Sequence, residues 1–237
     1  MNLESFLEQK LTFEYHDKLN PKIWNGDKLK SEIKIKLVRI GQAWADFANI
    51  PVSAIKDMIV VGGNANYNYT EYSDLDLHLV VDKDKLPDCP DLLDDYLRDK
   101  KQLWALTHNI KIYGHDVELY AEEEGLERPT NQGVYSVKYN KWLVKPTYKK
   151  PEIDTKLLKR KTRDIMDKID LFIQSKSNDY VEMNRMKDKF RTMRSVGIRK
   201  GGEFSLENLV FKELRNNGYL NKFSQYITSK KVKELSL

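Results

Sequence analysis

The sequence predicts an α+β protein in which a small mixed β-sheet with packed helices is followed by an all-helical C-terminal domain. Three observations lead to this prediction. Two short apolar runs, 59–61 and 75–81, have the composition of strands, and the second alternates apolar and polar residues over most of its length. A helical stripe of apolar residues precedes them at 27–49. From Asp154 onward, apolar residues recur at mostly helical spacing among many Lys and Arg residues.

The elements of the first domain follow in order along the chain. The helix at 27–49 leads through Pro51 into the first strand, which ends at Gly62-Gly63. The second strand opens with Asp74, and after a polar turn a helix is expected at 91–107. Its expected core side consists of six residues: Leu92, Leu93, Tyr96, Leu97, Leu103 and Trp104.

Two hairpins are expected to complete the sheet. The first covers 110–120, with a tight turn at Gly114-His115. An acidic loop at 121–131 separates it from the second hairpin at 133–144, which turns near Tyr139-Asn140.

Four helices are expected after a boundary at 146–154. They begin near Asp154, at 178, at 206 and at 220, with a glycine break at 196–205 and Ser205 placed to start the third. The sequence therefore predicts a catalytic domain with an N-terminal helix at 1–146 and a basic helical domain at 147–237.

Composition excludes several classes of protein. Hydrophobic residues make up 40% of the 237 positions, which is enough for a folded core. Cys89 is the only cysteine, so an intramolecular disulfide and a multi-cysteine zinc site are excluded. No apolar run approaches the roughly 18 residues that cross a membrane, and the first ten residues lack the apolar core of a signal peptide. We expect a cytoplasmic protein without a membrane partner.

Charge is distributed unevenly along the chain. Residues 1–140 carry 17 Lys and Arg against 24 Asp and Glu, a balance of −7, whereas residues 141–237 carry 24 against 12, a balance of +12. This asymmetry favours an anionic partner for the second half, such as RNA, DNA or a triphosphate. The alternative is that Lys-rich helices are simply well solvated. The best candidate patch for a nucleic-acid backbone is Arg191, Arg194, Arg199 and Lys200.

The pattern Asp74-Leu75-Asp76 carries the clearest chemistry. Side chains alternate along a strand, so the two aspartates share one face at a spacing of about 6.5–7 Å. Paired carboxylates of this kind suit two divalent cations about 4 Å apart. Gly62 and Gly63, which end the preceding strand, let the backbone approach a phosphate closely. Together these residues indicate a site for a nucleoside triphosphate with magnesium.

This combination resembles the nucleotidyltransferase superfamily of DNA polymerase beta. Val61-Gly62-Gly63 and Asp74-Leu75-Asp76 match its signature at its spacing, and the resemblance covers about residues 55–122. It implies the nucleotidyltransferase fold, two bound Mg²⁺ or Mn²⁺ ions, and an NTP substrate. The segments NPKIWNGDKLK and GEFSLENLVFKELRNNG further resemble uncharacterised nucleotidyltransferases of large tailed phages, which would place the protein in the host cytoplasm.

The resemblance also implies a third carboxylate on a neighbouring strand. Glu118 fits this role best, with Asp116 as the alternative; a solvated strand face is the other interpretation of both. Asp74, Asp76 and Glu118 are therefore the predicted catalytic and metal-binding residues. The predicted nucleotide-binding residues are Gly62, Gly63, Asn64, Ser73 and Lys138.

Several nearby side chains permit two interpretations. Tyr67, Tyr69 and Tyr72 either stack on a base or pack the loop that carries them. His78 shares the face of Asp76, and a hydrogen-bonded partner within the sheet is favoured over a ligand.

The predicted activity is metal-dependent transfer of NMP from an NTP to an acceptor hydroxyl. The acceptor favoured by the basic second half is RNA, such as a tRNA end, or else a protein. Two alternatives remain at this point: a synthase of cyclic or linear oligonucleotide signals, and a catalytically silent nucleotide-binding module. The sequence leaves the base, the acceptor and the oligomeric state open.

Overall fold

A computed structural model describes residues 10–86, 90–126 and 132–236, with backbone alone at positions 90 and 91. The chain divides into two compact units. The first, the sheet unit, is Glu14–Lys149; the second, the helical unit, combines Lys150–Leu237 with the segment that ends at Phe13. The sequence placed that segment in the first domain. Cys89 and the second half of the predicted acidic loop lie outside the described residues.

The sheet unit contains eight strands and two α-helices within the described residues. In chain order they are β1 (Trp24–Asn25), β2 (Lys28–Leu29), α1 (Ser31–Phe47), β3 (Ile55–Val61), β4 (Leu75–Val81), α2 (Pro90–Thr107), β5 (Lys111–Ile112), β6 (His115–Glu123), β7 (Val134–Ser136) and β8 (Lys141–Val144). The small hairpin β1–β2 was not predicted.

Six of these strands form one mixed sheet in the order β5-β6-β4-β3-β7-β8. The pair β4 and β6 is parallel and the other neighbours are antiparallel. A parallel pair needs a crossover connection, and α2 lies in the segment between β4 and β6. This crossover brings the first residues of β4 and β6 to the same end of the sheet.

One face of the sheet packs into the main core of this unit. Leu75, Leu77, Leu79 and Val81 are fully buried there, whereas the residues between them on β4 are partly exposed. Burial of alternate residues is the consequence of the side-chain period of two on a strand. The opposite face of β4 therefore presents Asp76 and His78.

The helical unit consists of α3 (Thr155–Gln174), α4 (Tyr180–Gly201), α5 (Leu206–Asn216) and α6 (Tyr219–Leu235). The first three each begin at a side-chain N-cap, provided by Asp154, Asp179 and Ser205. No helix in the described ranges is long and apolar enough to cross a membrane. The predicted α+β composition, a small mixed sheet followed by helices, is confirmed.

Some local predictions are wrong. The turn of the first hairpin is Tyr113-Gly114, both with positive φ, as a two-residue type I′ turn requires, and His115 begins β6. Helix α4 continues through the predicted glycine break to Gly201. Gly197 therefore lies within this helix. A Cβ there would come within 2.8 Å of Ser205 Oγ, so the absence of a side chain permits α4 to pack closely against the segment around Ser205.

The buried face of α2 also differs from the prediction. Leu93, Leu97 and Trp104 are buried, but Leu92 and Leu103 are half-exposed or more. The structure therefore gives α2 a narrower apolar stripe than the sequence indicated.

Candidate functional site

The turn after β3 brings the backbone of Gly62 against the carboxylate of Asp76. Gly62 has φ +74° and ψ −162°, a conformation that is open essentially to glycine alone. A Cβ at this position would lie 1.9 Å from Asp76 Oδ2. Glycine is therefore required here twice, for its conformation and for the close approach of the carboxylate.

The structure brings the three predicted acids to one end of the sheet. Asp76 pairs with Val61 at the end of β3 and is in register with Glu118 on the parallel strand β6. Residues in register on neighbouring strands point to the same face. Asp74 immediately precedes β4, so it lies at the same end of the sheet. Asp116, the alternative, lies on the same face but forms an ion pair with Lys111 at 2.6 Å.

Glu118 is held by two neighbours that the sequence did not indicate. Its Oε2 accepts from Lys101 Nζ at 3.0 Å and from the Tyr120 hydroxyl at 2.7 Å. The same ammonium group lies 3.3 Å from the centroid of the Tyr120 ring. Lys101 belongs to α2, on a different element from the acids, so only the three-dimensional arrangement reveals the contact. It places a positive charge directly beside the predicted third acid.

Asn64 connects the glycine turn to the segment that carries Asp74. Its side chain is fully buried, and Nδ2 donates to the carbonyls of Ser73 at 3.2 Å and Asp74 at 2.9 Å. Its backbone carbonyl accepts from Trp24 Nε1 at 2.7 Å. Both amide hydrogens are committed inside the protein. Of the two donors that Asn64 could offer a phosphate, its backbone N–H and its side-chain amide, the amide is occupied and the backbone N–H remains for the predicted role.

Two further buried side chains complete this support. Asn20 Nδ2 donates to Asn64 Oδ1 at 2.8 Å and lies 3.1 Å from His115 Nε2. His115 Nδ1 is 2.7 Å from the carbonyl of Ser73, which can only accept, so Nδ1 carries the proton and Nε2 accepts from Asn20. Asn20 and His115 thus position the Ser73–Asp74 backbone. Neither role was predicted, because their neighbours are distant in sequence.

Ser73 lies beside Gly63. A Cβ on Gly63 would be 3.0 Å from Ser73 Oγ, and this hydroxyl accepts from the backbone N–H of Thr70 at 2.9 Å. The hydroxyl also lies 3.4 Å from Thr70 Oγ1, and either of these two oxygens can be the donor. Ser73 therefore lies next to the glycine turn.

Lys138 does not join these residues. Its Nζ donates to the carbonyl of Lys56 at 2.8 Å, near the start of β3. Gly62 lies six residues further along, roughly 20 Å away by strand rise. The structure therefore does not bring Lys138 to the glycine turn, because the β7–β8 turn lies near the start of β3.

The tyrosines near the turn are engaged in packing. Tyr67 packs against the rings of Tyr15 and Tyr148, and Tyr69 stacks on His16 at 3.9 Å between ring centroids. Burial, reinforced by nearby carboxylates, raises the pKa of the Tyr69 hydroxyl. For these two residues the packing interpretation holds, whereas Tyr72 is 44% exposed.

His78 lies two residues after Asp76 on β4 and on the same face of the sheet. Its Nδ1 is hydrogen-bonded to Glu122 Oε2 on β6, and its ring packs against Tyr120 with centroids 4.6 Å apart. The prediction of a partner within the sheet is confirmed.

Across the described ranges, no three His, Cys, Asp or Glu side chains form a group that could hold a metal ion. Asp76 and Glu118 share a face of the sheet, Asp74 precedes β4 at the same end, and Glu118 contacts Lys101 there. Carboxylate oxygens are nevertheless the ligands that Mg²⁺ and Mn²⁺ prefer. The donor chemistry of the three acids fits such ions.

No protein-family model matches this chain, and neither a curated protein nor a solved structure matches it at a significant level.

Proposed function

We propose that the sheet unit is a metal-dependent nucleotidyltransferase with the nucleotidyltransferase fold, which transfers NMP from an NTP to an acceptor hydroxyl. The observation that carries this proposal is the contact of Asp76 with the positive-φ Gly62, together with Glu118 in register with Asp76 on the neighbouring strand. The signature Val61-Gly62-Gly63 and Asp74-Leu75-Asp76, with its resemblance to the polymerase beta superfamily, supports it independently of the geometry.

In this proposal, Asp74 and Asp76 hold two Mg²⁺ or Mn²⁺ ions through their carboxylate oxygens, with Glu118 as the third acid. When bound, such ions would supply Lewis acidity at the acceptor hydroxyl and at the triphosphate. Glu118 serves the same hydroxyl by accepting its proton.

The remaining residues position the triphosphate. Backbone N–H groups at Gly62–Asn64 and the hydroxyl of Ser73 donate to phosphate oxygens. The acceptor oxygen bonds to the α-phosphorus, the bond from that phosphorus to the bridging oxygen breaks, and pyrophosphate leaves. Asn64 acts indirectly, because its side chain fixes the Ser73–Asp74 backbone against the turn.

RNA is the acceptor class that we propose to test first. In the helical unit, a surface hollow of about 790 Å³ along α3 is lined by four cations and two acids: Lys156, Lys159, Arg160, Arg163, Asp154 and Asp164. The spacing of 156, 160 and 163 puts their side chains on one helix face. Arg191, Arg194, Arg199 and Lys200 of the predicted patch are exposed on α4. Clustered cations of this kind bind a phosphate backbone in a salt-dependent manner.

The test is label transfer from each of the four α-³²P NTPs, with Mg²⁺ or Mn²⁺, in the presence and absence of total RNA. The doubly substituted Asp74→Asn/Asp76→Asn protein is the blank, and Asp46→Asn, an exposed acid on α1, is the matched control. We expect label in RNA with the intact chain and with Asp46→Asn only. Label in a small product without RNA would identify an oligonucleotide synthase instead. Equal label with the blank would overturn the proposed site.

A further inference from the structure

A second pocket lies on the same sheet face as Asp76, toward the other end of the strands. It has a volume of about 650 Å³, within the range of small-molecule sites. Its apolar floor is formed by Ile59, Val80 and Val134. Val80 is four residues from Asp76 on β4, roughly 13 Å along the strand. The pocket is therefore separate from the acids described above.

The charged groups around this pocket are mostly carboxylates. Asp57, Glu122, Glu123 and Glu124 line it, against two lysines, Lys56 and Lys138. Both lysines are held by other atoms: Lys56 Nζ lies 3.2 Å from Asp82, which does not line the pocket, and Lys138 Nζ donates to the carbonyl of Lys56. Two of the acids are also paired outside the lining, Glu122 with His78 and Glu123 with Lys83. Asp57 and Glu124 are therefore the carboxylates that give the pocket its negative charge.

Asp57 is the most buried of the four acids, at 7% exposure. Its Oδ1 accepts from the N–H of Met58 at 2.7 Å and from Ser136 Oγ at 2.9 Å. Within the described part of the chain, Oδ2 has no hydrogen-bond or ion-pair partner. Oδ2 is not among the fully buried atoms, and Asp57 lines the pocket, so this oxygen is accessible to a ligand. A cation in the pocket would therefore complement Asp57.

We propose that this pocket binds a small organic cation that carries an amine on an apolar body. The amine pairs with Asp57, and the apolar body covers the floor of Ile59, Val80 and Val134. At the mouth, Tyr139 and Leu143 are 57% and 50% exposed and add apolar contact area. Anions are disfavoured by the carboxylates. This site is independent of the proposed nucleotide transfer, because it shares no residue with the three acids.

The test is an NMR titration of the methyl-labelled full chain, without nucleotide or metal. The probes are tryptamine, its neutral counterpart tryptophol, and indole-3-propionate as an anion. We expect tryptamine to shift the methyl signals of Ile59, Val80 and Val134 saturably. Tryptophol should bind at least about tenfold more weakly, since a charged hydrogen bond is lost.

Two variants test whether the carboxylates that line the pocket are required for amine binding. Asp57→Asn should weaken tryptamine at least about tenfold, and Glu124→Gln, at an exposed lining position, should weaken it several-fold. Asp46→Asn on α1 should leave it unchanged. No methyl shift with tryptamine, equal binding of tryptophol, or unchanged affinity in both lining variants would each overturn the proposal. The NMR titration measures binding and not turnover. A negative result would therefore overturn the amine site without bearing on the proposed nucleotide transfer, and the reverse also holds.

Discussion

The backbone of Gly62 leaves room for one specific atom, Oδ2 of Asp76. A Cβ on Gly62 would lie 1.9 Å from it, far inside van der Waals contact. Gly62 and Asp76 were each weak signals when taken alone in the sequence. Their contact explains why a residue without a side chain is needed opposite this carboxylate. The pair also fixes where the Asp76 carboxylate stands relative to the turn of backbone N–H groups that follows.

Gly62→Ala should destabilise the sheet unit, because it combines a disfavoured φ with a steric clash. We expect a loss of about 2–4 kcal/mol in the free energy of unfolding. Gly26→Ala is the matched control: Gly26 has φ +61° but no atom within 4 Å of its Cβ position, so it should lose about 1 kcal/mol. All four tryptophans lie within 14–149, so urea unfolding followed by tryptophan fluorescence reports on this unit. Equal losses would contradict the clash.

Asp76→Asn should abolish turnover while leaving the fold intact, because the amide is nearly isosteric but is a much weaker metal ligand. We expect label transfer to fall more than about 100-fold, beyond the loss typical of groups that only support a ligand. Tryptophan fluorescence and the urea midpoint should match those of the parent protein. Full activity in a correctly folded variant would remove Asp76 from the mechanism.

Lys101→Met should strengthen metal binding at the acids, since Lys101 competes with a cation for Glu118. The Glu118 side chain is 39% exposed, so screening limits the expected gain to roughly two- to fivefold in Mn²⁺ affinity. Titration followed by Mn²⁺ paramagnetic resonance measures this without any turnover. Lys100→Met is the control, because the Lys100 ammonium lies over Phe47 and Tyr96 instead. An unchanged affinity in Lys101→Met would show that the lysine is not a competitor.

Asn64→Ala should be among the most damaging single changes near the site. It leaves the carbonyls of Ser73 and Asp74 and the amide of Asn20 without this partner, at an expected cost of about 2–4 kcal/mol. Asn25→Ala, at an exposed position of β1, should change stability by less than about 0.5 kcal/mol. Urea unfolding followed by tryptophan fluorescence compares the two. A small effect at Asn64 would mean that the turn is held mainly by other contacts.

Glu213→Gln should destabilise the helical unit alone. The Glu213 carboxylate is almost fully buried and accepts from Thr12 N, Thr12 Oγ1 and Phe13 N at 2.8–3.1 Å. Glutamine offers one acceptor oxygen instead of two, so we expect a loss of about 2–3 kcal/mol. Far-UV circular dichroism should show an earlier helical transition while tryptophan fluorescence stays unchanged. Glu207→Gln, half-exposed on α5, is the control.

The sequence predicted those features that depend on neighbours along the chain. Alternation along 75–81 correctly placed Leu75 and Leu77 in the core and Asp76 on the other face. The turn at Tyr139-Asn140 was likewise predicted, and Asn140 has the positive φ of a hairpin turn.

Features that depend on contacts between elements were missed. Lys101 reaches Glu118 from α2, and His115 supports Ser73 across 42 residues. Lys138 was predicted to line the cleft, but the direction of β7 places it near the start of β3, away from the glycine turn. The alternation of apolar and polar residues predicts which face of the sheet a residue occupies. It does not predict at which end of the sheet a hairpin turn lies.

The hydrogen bonds from Thr12 to Glu213 span 201 residues of chain. At about 5–20 residues per second, a ribosome takes roughly 10–40 s to make that stretch. The sheet unit is continuous from Glu14 to Lys149 and is complete well before Glu213 is synthesised. The sheet unit can therefore fold during translation. Thr12 and Phe13 can form their hydrogen bonds to Glu213 only near the end of synthesis.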